Sequence, residues 1–278
     1  MPCSVLSVSE LEARAKAVRR LVLKTTHHAR MGHTGGSLSE ADILTALFFR
    51  VMKNRDTEAE RVDRDRFILS KGHSTPGYYS TLALRGYFPL ETLDTFDALG
   101  SILQGHPDMH KTPGVDMSSG SLGQGLSVGI GIQLAAARTP AMGDCHTFVL
   151  MGDGEIQEGQ VWEAALYAGA RKVRGLVGIV DYNGVQLASN TIEAVNLEPI
   201  ADKWRAFGFT VLDTDGHDMG SLVETLEKAR ELSAGGPVVV IARTVKGKGV
   251  SFMEGKHEWH GKAPNDKEFA LAMEEIGA

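Results

Sequence analysis

Phe148-Val-Leu-Met-Gly-Asp-Gly-Glu-Ile-Gln-Glu-Gly159, read together with Asp181-Tyr-Asn-Gly-Val185 downstream, decides the fold. The apolar run Phe148 to Met151 stops at Gly152-Asp153-Gly154. A helical pattern follows, with Val161, Ala164, Ala165 and Ala168 on one face. A second apolar run, Leu176 to Val180, then ends at Asp181-Tyr182-Asn183. The order is strand, loop, helix, strand. Both loops fall at the carboxyl ends of strands, where open α/β sheets bind ligands. If the two strands are parallel neighbours, Asp153 and Asn183 come together. Their oxygens suit a hard divalent cation, and the flanking glycines let a diphosphate approach the backbone. A plainer reading stands beside this one, in which Gly-Asp-Gly is a turn and its Asp caps the next helix.

The chain has 278 residues, 42% of them hydrophobic, and 32 glycines, which fits one large α/β domain or two small ones. It contains no run of 18 apolar residues, so no transmembrane helix is expected. Met1 to Glu12 lacks the basic and apolar segments of a secretory signal. Two cysteines, Cys3 and Cys145, make no disulfide framework and suit a reducing cytoplasm. A net charge of −6 with no basic block argues against a nucleic-acid footprint. A soluble cytoplasmic enzyme, or part of one, is the expectation.

Ser7 with Glu10 reads as a capping box, and Leu11, Ala15, Val18, Val22 and Thr25 recur at helical spacing, giving a helix over 8–29. Met31-Gly-His-Thr-Gly-Gly36 is expected to be loop, with a helix restarting at Ser39 and running through Leu44, Leu47 and Phe48. Arg66 to Ser70 reads as a short buried strand that delivers Lys71-Gly-His73 to a loop before a helix from Tyr78 to Leu84. Residues 99–120 show no sustained periodicity, and a loop of that length is usually functional. Gly120-Ser-Leu-Gly-Gln-Gly125 opens a helix whose Ser127, Gly129, Gly131, Ala135 and Ala136 would permit close packing. Further on come a helix at Ile200 to Phe207, a strand at Phe209 to Leu212 and a helix at Met219 to Leu232. A buried strand at Pro237 to Ala242 leads to Thr244-Val-Lys-Gly-Lys-Gly249, and a short helix closes the chain. Lys246 and Lys248 could face phosphate, although such a stretch is more often a solvated loop. Alternating strands and helices with no repeat or linker give a single α/β domain over 1–278: a doubly wound, mostly parallel sheet with helices on both faces.

Four histidines sit in glycine-rich loops: His33, His73, His106 and His260. A lone loop histidine is usually a solvated polar residue, but loops carry function disproportionately. Gly32-His-Thr-Gly-Gly36, Leu69-Ser-Lys-Gly-His73, Gly105-His-Pro107, Gly120-Ser-Leu-Gly-Gln-Gly125, Gly152-Asp-Gly154 with Asn183, and Trp259-His-Gly261 follow one another in the order found in transketolases. The resemblance covers about residues 10–264 and is to the N-terminal, diphosphate-binding part of that family.

The resemblance implies thiamine diphosphate as cofactor, anchored by Mg2+ (or Ca2+ or Mn2+) on Asp153, Asn183 and the Val185 carbonyl. It implies that His33, His73, His106 and His260 line the channel to the reacting ring, with His33 and His260 moving protons. It further implies that Gly120, Leu122 and Gly154, with His73 and His260, contact the cofactor, and that Glu158 and Glu163 resemble glutamates meeting at the subunit interface. The plainer reading of Glu158 is a glutamate favoured in the first turn of a helix. Three positions depart from many relatives: Thr34, Ser121 and Tyr182. The family's pyrimidine-binding and C-terminal domains are absent from the sequence. Either the sequence is part of a longer chain or the enzyme is split between two polypeptides. The expectation is the split, with a C-terminal partner subunit in a two-plus-two heterotetramer and this chain inactive alone. The implied reaction is transfer of a two-carbon ketol unit between sugar phosphates, with pentose phosphates as the default. Two alternatives remain open: another thiamine diphosphate enzyme (a 2-oxo acid dehydrogenase α-type subunit or a deoxyxylulose-phosphate synthase), or a cofactor-binding subunit without catalysis.

Overall fold

A computed structural model describes residues 6–53 and 61–277; Cys3 lies outside the described residues. In chain order the main elements are α1 (Val8–Ala29), α2 (Thr34–Ser39), α3 (Ala41–Ala46), β1 (Arg66–Leu69) and α4 (Thr75–Arg85). There follow α5 (Gly125–Ala136), β2 (Thr147–Gly152), α6 (Gly159–Arg171), β3 (Leu176–Tyr182), α7 (Thr191–Ala194) and α8 (Ile200–Ala206). The last four are β4 (Thr210–Asp215), α9 (Met219–Leu232), β5 (Val238–Arg243) and α10 (Asp266–Ile276).

The strands form one sheet in the order β1-β2-β3-β5-β4, and every pairing is parallel. The expectation of a mostly parallel sheet is met by a wholly parallel one. β2 and β3 are direct neighbours, with Leu150 opposite Ile179 and Gly152 opposite Asp181. Their last residues therefore end side by side. Strand side chains alternate between faces. Phe148, Leu150, Val177, Ile179, Val238 and Val240 face a core completed by α1, α3, α4 and α9. Val149, Met151, Val180, Val239 and Ile241 face the other, filled by α5, α6 and α8, including the fully buried Trp204. Each such aliphatic side chain contributes about 1.5–3 kcal/mol on burial, so the β-branched runs hold the layers together. The helix between β4 and β5 lies on the opposite face from α5 and α6 because that connection runs back across the sheet, and right-handed crossovers then demand the other side. A third cluster packs Val250, Met253, Trp259, Ala272 and Ile276 against Val18, Val22 and Leu23 of α1, which seats the 250–260 loop.

Several boundaries differ from the sequence expectation. Thr34 to Gly36 is helical rather than loop, and the helix is under way well before Ser39, with Thr34 to Ser39 wholly buried. Gly35 is required there by close approach, since a Cβ on it would lie 2.8 Å from the Trp259 carbonyl oxygen. Tertiary packing thus supplies what glycine lacks in helix propensity. Leu47–Val51 continues α3 as a π turn. α4 starts at Thr75, ahead of Tyr78. β3 carries on through Asp181 and Tyr182 instead of stopping before them, because β5 still pairs with both. In α5 the small residues divide: a Cβ on Gly129 would meet Val149 at 2.8 Å, whereas Gly131 faces open space and Ala135 is exposed.

Candidate active site

The carboxyl edges of β1, β2, β3 and β5 surround a cavity of about 320 Å³. Asp153, just past the end of β2, is 4% exposed. Its Oδ1 accepts from the Gly154 N–H at 2.8 Å and its Oδ2 from the Gly184 N–H at 2.5 Å. The carboxylate therefore reaches across to the β3 loop. It does not cap α6, whose N-cap is Glu158 without a side-chain cap. Burial, reinforced by the nearby Asp181, pushes the Asp153 carboxyl up to about 7. Asn183 points its Nδ2 toward Asp181 Oδ2 at 3.3 Å, while its Oδ1 accepts from the Val185 N–H at 3.1 Å. The Val185 carbonyl accepts from Lys246 Nζ at 3.2 Å.

Asp153, Asn183 and Val185 all line the cavity, together with Leu122 and Gly154. Carboxylate, amide and carbonyl oxygens retain lone pairs beyond these bonds, and such hard donors suit Mg2+ or Ca2+. No group of three or more His, Cys, Asp or Glu side chains is placed to hold a metal among the described residues. An ion here would take one carboxylate from the chain and need further oxygens from a ligand. That is the balance Mg2+ keeps when phosphates complete its shell. The residues fit a magnesium–diphosphate group.

Beneath the cavity lies a buried ionic network. Lys71 Nζ sits 2.5 Å from Asp181 Oδ2, 3.0 Å from Glu40 Oε2 and 3.2 Å from the Gly36 carbonyl. Ser39 Oγ donates to the same Asp181 oxygen at 2.6 Å, and Thr244 Oγ1 donates to the other. Two carboxylates share one ammonium, and their charge divides unequally. Burial alone would raise the Asp181 carboxyl, yet Lys71 and the hydrogen bonds to it hold it below its ordinary value. Burial raises Glu40 to about 7, opposed by Lys71 and helped by Asp181. Glu40 Oε1 has no hydrogen-bond partner among the described residues.

Toward the mouth, His33, His73 and His260 form a triangle with ring centroids 4.9–5.2 Å apart. His73 and His260 line the cavity; His33 and His106 line an adjoining one of about 730 Å³. Burial is the first cause lowering all three clustered imidazoles, and neighbouring cations and imidazoles add to it. His260 falls to about 3, with Lys246 the next contributor after burial. These rings are neutral near pH 7, each able to donate at one nitrogen and accept at the other.

The structure thus gathers His73, Leu122, Asp153, Gly154, Asn183, Val185 and His260 around one space. Gly120 stands apart from that lining, under the His106 ring, where a Cβ would lie 3.4 Å from it. Glu158 borders the cavity and is exposed; Glu163 is exposed on α6. The sequence pattern assigns no role to Lys246 or Lys71. Both are 2% exposed and both line the cavity. Lys246 Nζ lies 2.9 Å from His260 Nδ1, and burial brings its ammonium down to about 8. Lys248, by contrast, lies near Glu254 at the surface. Apart from alternation of glycine and lysine, nothing in the sequence separates the two.

Over residues 11–278 the chain matches the family described as transketolase, thiamine diphosphate binding domain. It is 45% identical to one of the named subunits of the apulose-4-phosphate transketolase of Actinobacillus succinogenes, covering 98% of this chain and 97% of that one. It is 42% identical to the 6-deoxy-6-sulfo-D-fructose transketolase subunit SqwG of a Clostridium species, covering 96% of each. Among solved structures, the transketolase of Campylobacter jejuni superposes with a TM-score of 0.90 at 31% identity, covering 98% of this chain. The chain spans 43% of the length of that full transketolase.

Proposed function

The chain belongs to the transketolase family as its thiamine diphosphate-binding subunit, and we propose that its sheet-edge cavity holds the diphosphate of the coenzyme through a Mg2+ ion on Asp153, Asn183 and the Val185 carbonyl. Convergence of these three oxygens with two buried ammonium groups and two imidazoles in one cavity carries the reading. The reaction is transfer of a ketol unit between sugar phosphates. When bound, thiamine diphosphate supplies the thiazolium carbon to which the two-carbon unit is carried. The metal would anchor the diphosphate.

The chain's own residues bind, orient and move protons. Lys246 brings to the cavity wall a positive charge that makes no ion pair with a carboxylate among the described residues. Opposite an anionic ligand, such a charge strengthens binding in a low dielectric. His33 and His260 would hold sugar hydroxyls and exchange protons with them. His33, kept neutral, can accept a hydroxyl proton as a base and return it, which typically contributes about 10²–10⁴-fold. His260, whose Nδ1 accepts from the Lys246 ammonium, carries its proton on Nε2 and can donate it to a substrate oxygen. His73 would sit between coenzyme and sugar. His106, in the outer cavity, would meet the far part of the substrate.

We further propose a complementary subunit that contributes the pyrimidine-binding half, in a two-plus-two assembly in the cytoplasm. Two observations support it. Relatives matched over nearly their full length are called subunits. The α5–α6 face also exposes Val128, Leu166 (60%) and Tyr167 (44%) beside Glu163, as a contact between subunits would. No helix among the described residues is long and apolar enough to cross a membrane. The test is ketol transfer by this chain with and without the complementary chain, over a panel that includes pentose phosphates, apulose 4-phosphate and 6-deoxy-6-sulfo-D-fructose. Turnover that needs both chains and the coenzyme is expected. Full turnover by this chain alone, or pyruvate consumption in place of ketose consumption, would overturn the reading.

A further inference from the structure

β5 ends at Arg243, but the cavity needs Lys246, three residues further on. The intervening backbone is held one group at a time. The Thr244 N–H donates to the Tyr182 carbonyl at 3.0 Å, the last acceptor that β3 offers. On the other side, Gly216 N–H donates to the Arg243 carbonyl at 2.7 Å. There the sheet runs out of backbone partners for Val245. The acceptor is instead a side chain: Val245 N–H donates to His217 Nε2 at 2.8 Å. The Gly247 N–H then donates to the Gly35 carbonyl at 3.0 Å.

An imidazole nitrogen that accepts from an amide carries no proton, so the ring proton of His217 sits on Nδ1. Nδ1 lies 2.7 Å from Asp42 Oδ2. Asp42 is in turn gripped by Arg19, whose two terminal nitrogens reach both carboxylate oxygens. Arg19, Asp42 and His217 have side chains only 8–11% exposed. Burial would raise the Asp42 carboxyl, but hydrogen bonds from His217 and Arg19 keep it below its ordinary value. A charged carboxylate on one side and an amide donor on the other select a single tautomer, as an outer partner does for a ligating histidine.

We propose that His217 is a positioning residue, which extends the sheet ladder one step beyond β5 and so sets Lys246 against the diphosphate-binding cavity. The chain of support runs from Arg19 on α1 through Asp42 on α3 and the His217 ring to the Val245 amide. It touches neither the cavity nor any sugar, and acts through the residue after Val245. The proposal rests on the reading that the cavity takes a magnesium diphosphate.

The test titrates the full chain with inorganic diphosphate plus Mg2+ by calorimetry, comparing wild type with His217→Ala, His217→Asn and His217→Gln, and recording thermal unfolding of each. Asn reaches the Asp42 end only, whereas Gln places an acceptor at the reach of Nε2. His217→Ala and His217→Asn are expected to bind roughly 10-fold more weakly, the lower end of the cost of losing an outer partner, and His217→Gln to recover most of the loss. Wild-type affinity in His217→Asn, or rescue by Asn but not by Gln, would assign the ring to packing around Asp42 and overturn the proposal, even if the Ala variant fails to fold. Nitrogen-15 spectra of the wild-type ring give an independent reading: a proton on Nδ1 is expected, and one on Nε2 contradicts the ladder. If the wild-type chain itself ignores magnesium diphosphate, the cavity reading fails, a result distinct from an effect confined to the variants.

Discussion

Beneath the sheet-edge cavity lie groups whose charges are tied to one another: Asp181, Lys71 and Glu40 in a buried network, with Asn183 oriented by Asp181. At its mouth stand imidazoles packed ring against ring and kept uncharged by burial. In the first region each removed partner would leave a buried charge unsatisfied. The second holds neutral rings, which in the proposed function exchange protons with substrate hydroxyls. On the proposed reading one pocket separates holding from proton transfer, and variants on the two sides are expected to fail in different ways.

Asp153→Ala gives the largest expected effect. It removes the one carboxylate of the proposed ligand set, and metal-dependent coenzyme binding is expected to fall by more than about 100-fold, beyond the range typical of outer partners. Calorimetry with and without a chelator checks this. Next comes Lys71→Met, which leaves Asp181 and Glu40 without their ammonium. Removing one member of a buried pair costs about 3–5 kcal/mol, measurable as a lower denaturant midpoint. Destabilisation under about 1 kcal/mol, the exposed-pair scale, would show the network to be loosely solvated.

On the other side of the comparison, His33→Ala and His260→Ala are expected to leave coenzyme binding nearly intact and to slow ketol transfer in the assembled enzyme by ~10²-fold, the lower bound for acid–base groups. Equal losses in binding would erase the distinction between the two regions. The smallest effect is in pH. His260 titrates near 3 in the folded chain against an ordinary 6.5, so the unfolded chain takes up its proton first. Its contribution to stability is present above pH 6.5 and is lost as pH falls toward 3. Glu40 works in the opposite sense, its contribution being lost as pH rises from 4.5 through about 7. His260→Gln is therefore expected to flatten the acid limb of the stability curve without altering the neutral limb.

Much of this was legible in sequence where burial and pattern coincide. The apolar runs at 148–151 and 176–180 gave β2 and β3, and their parallel pairing follows from the helix between them. The capping box at Ser7 and Glu10 gave α1 its start. Where tertiary contacts override local preference, the pattern misleads. Thr34 to Gly36 reads as loop because two glycines sit in it, yet Lys71 and the 246–262 segment pin it as helix: Lys71 holds Gly36, Gly247 holds Gly35, and Thr34 Oγ1 donates to the Lys262 carbonyl at 2.8 Å. The same limit hid Lys246. Its neighbour Lys248 has the same local setting, and only the path of the chain after β5 turns one inward and the other out. The Asp42–His217 link joins residues 175 positions apart and left no local trace.

The most direct measurement is a crystal structure of the chain soaked with thiamine diphosphate and Mg2+. A metal bonded to Asp153, Asn183 Oδ1 and the Val185 oxygen is expected, with diphosphate beside Lys246 and the pyrimidine end uncovered by this chain. An empty cavity, or a coenzyme seated elsewhere, would contradict this.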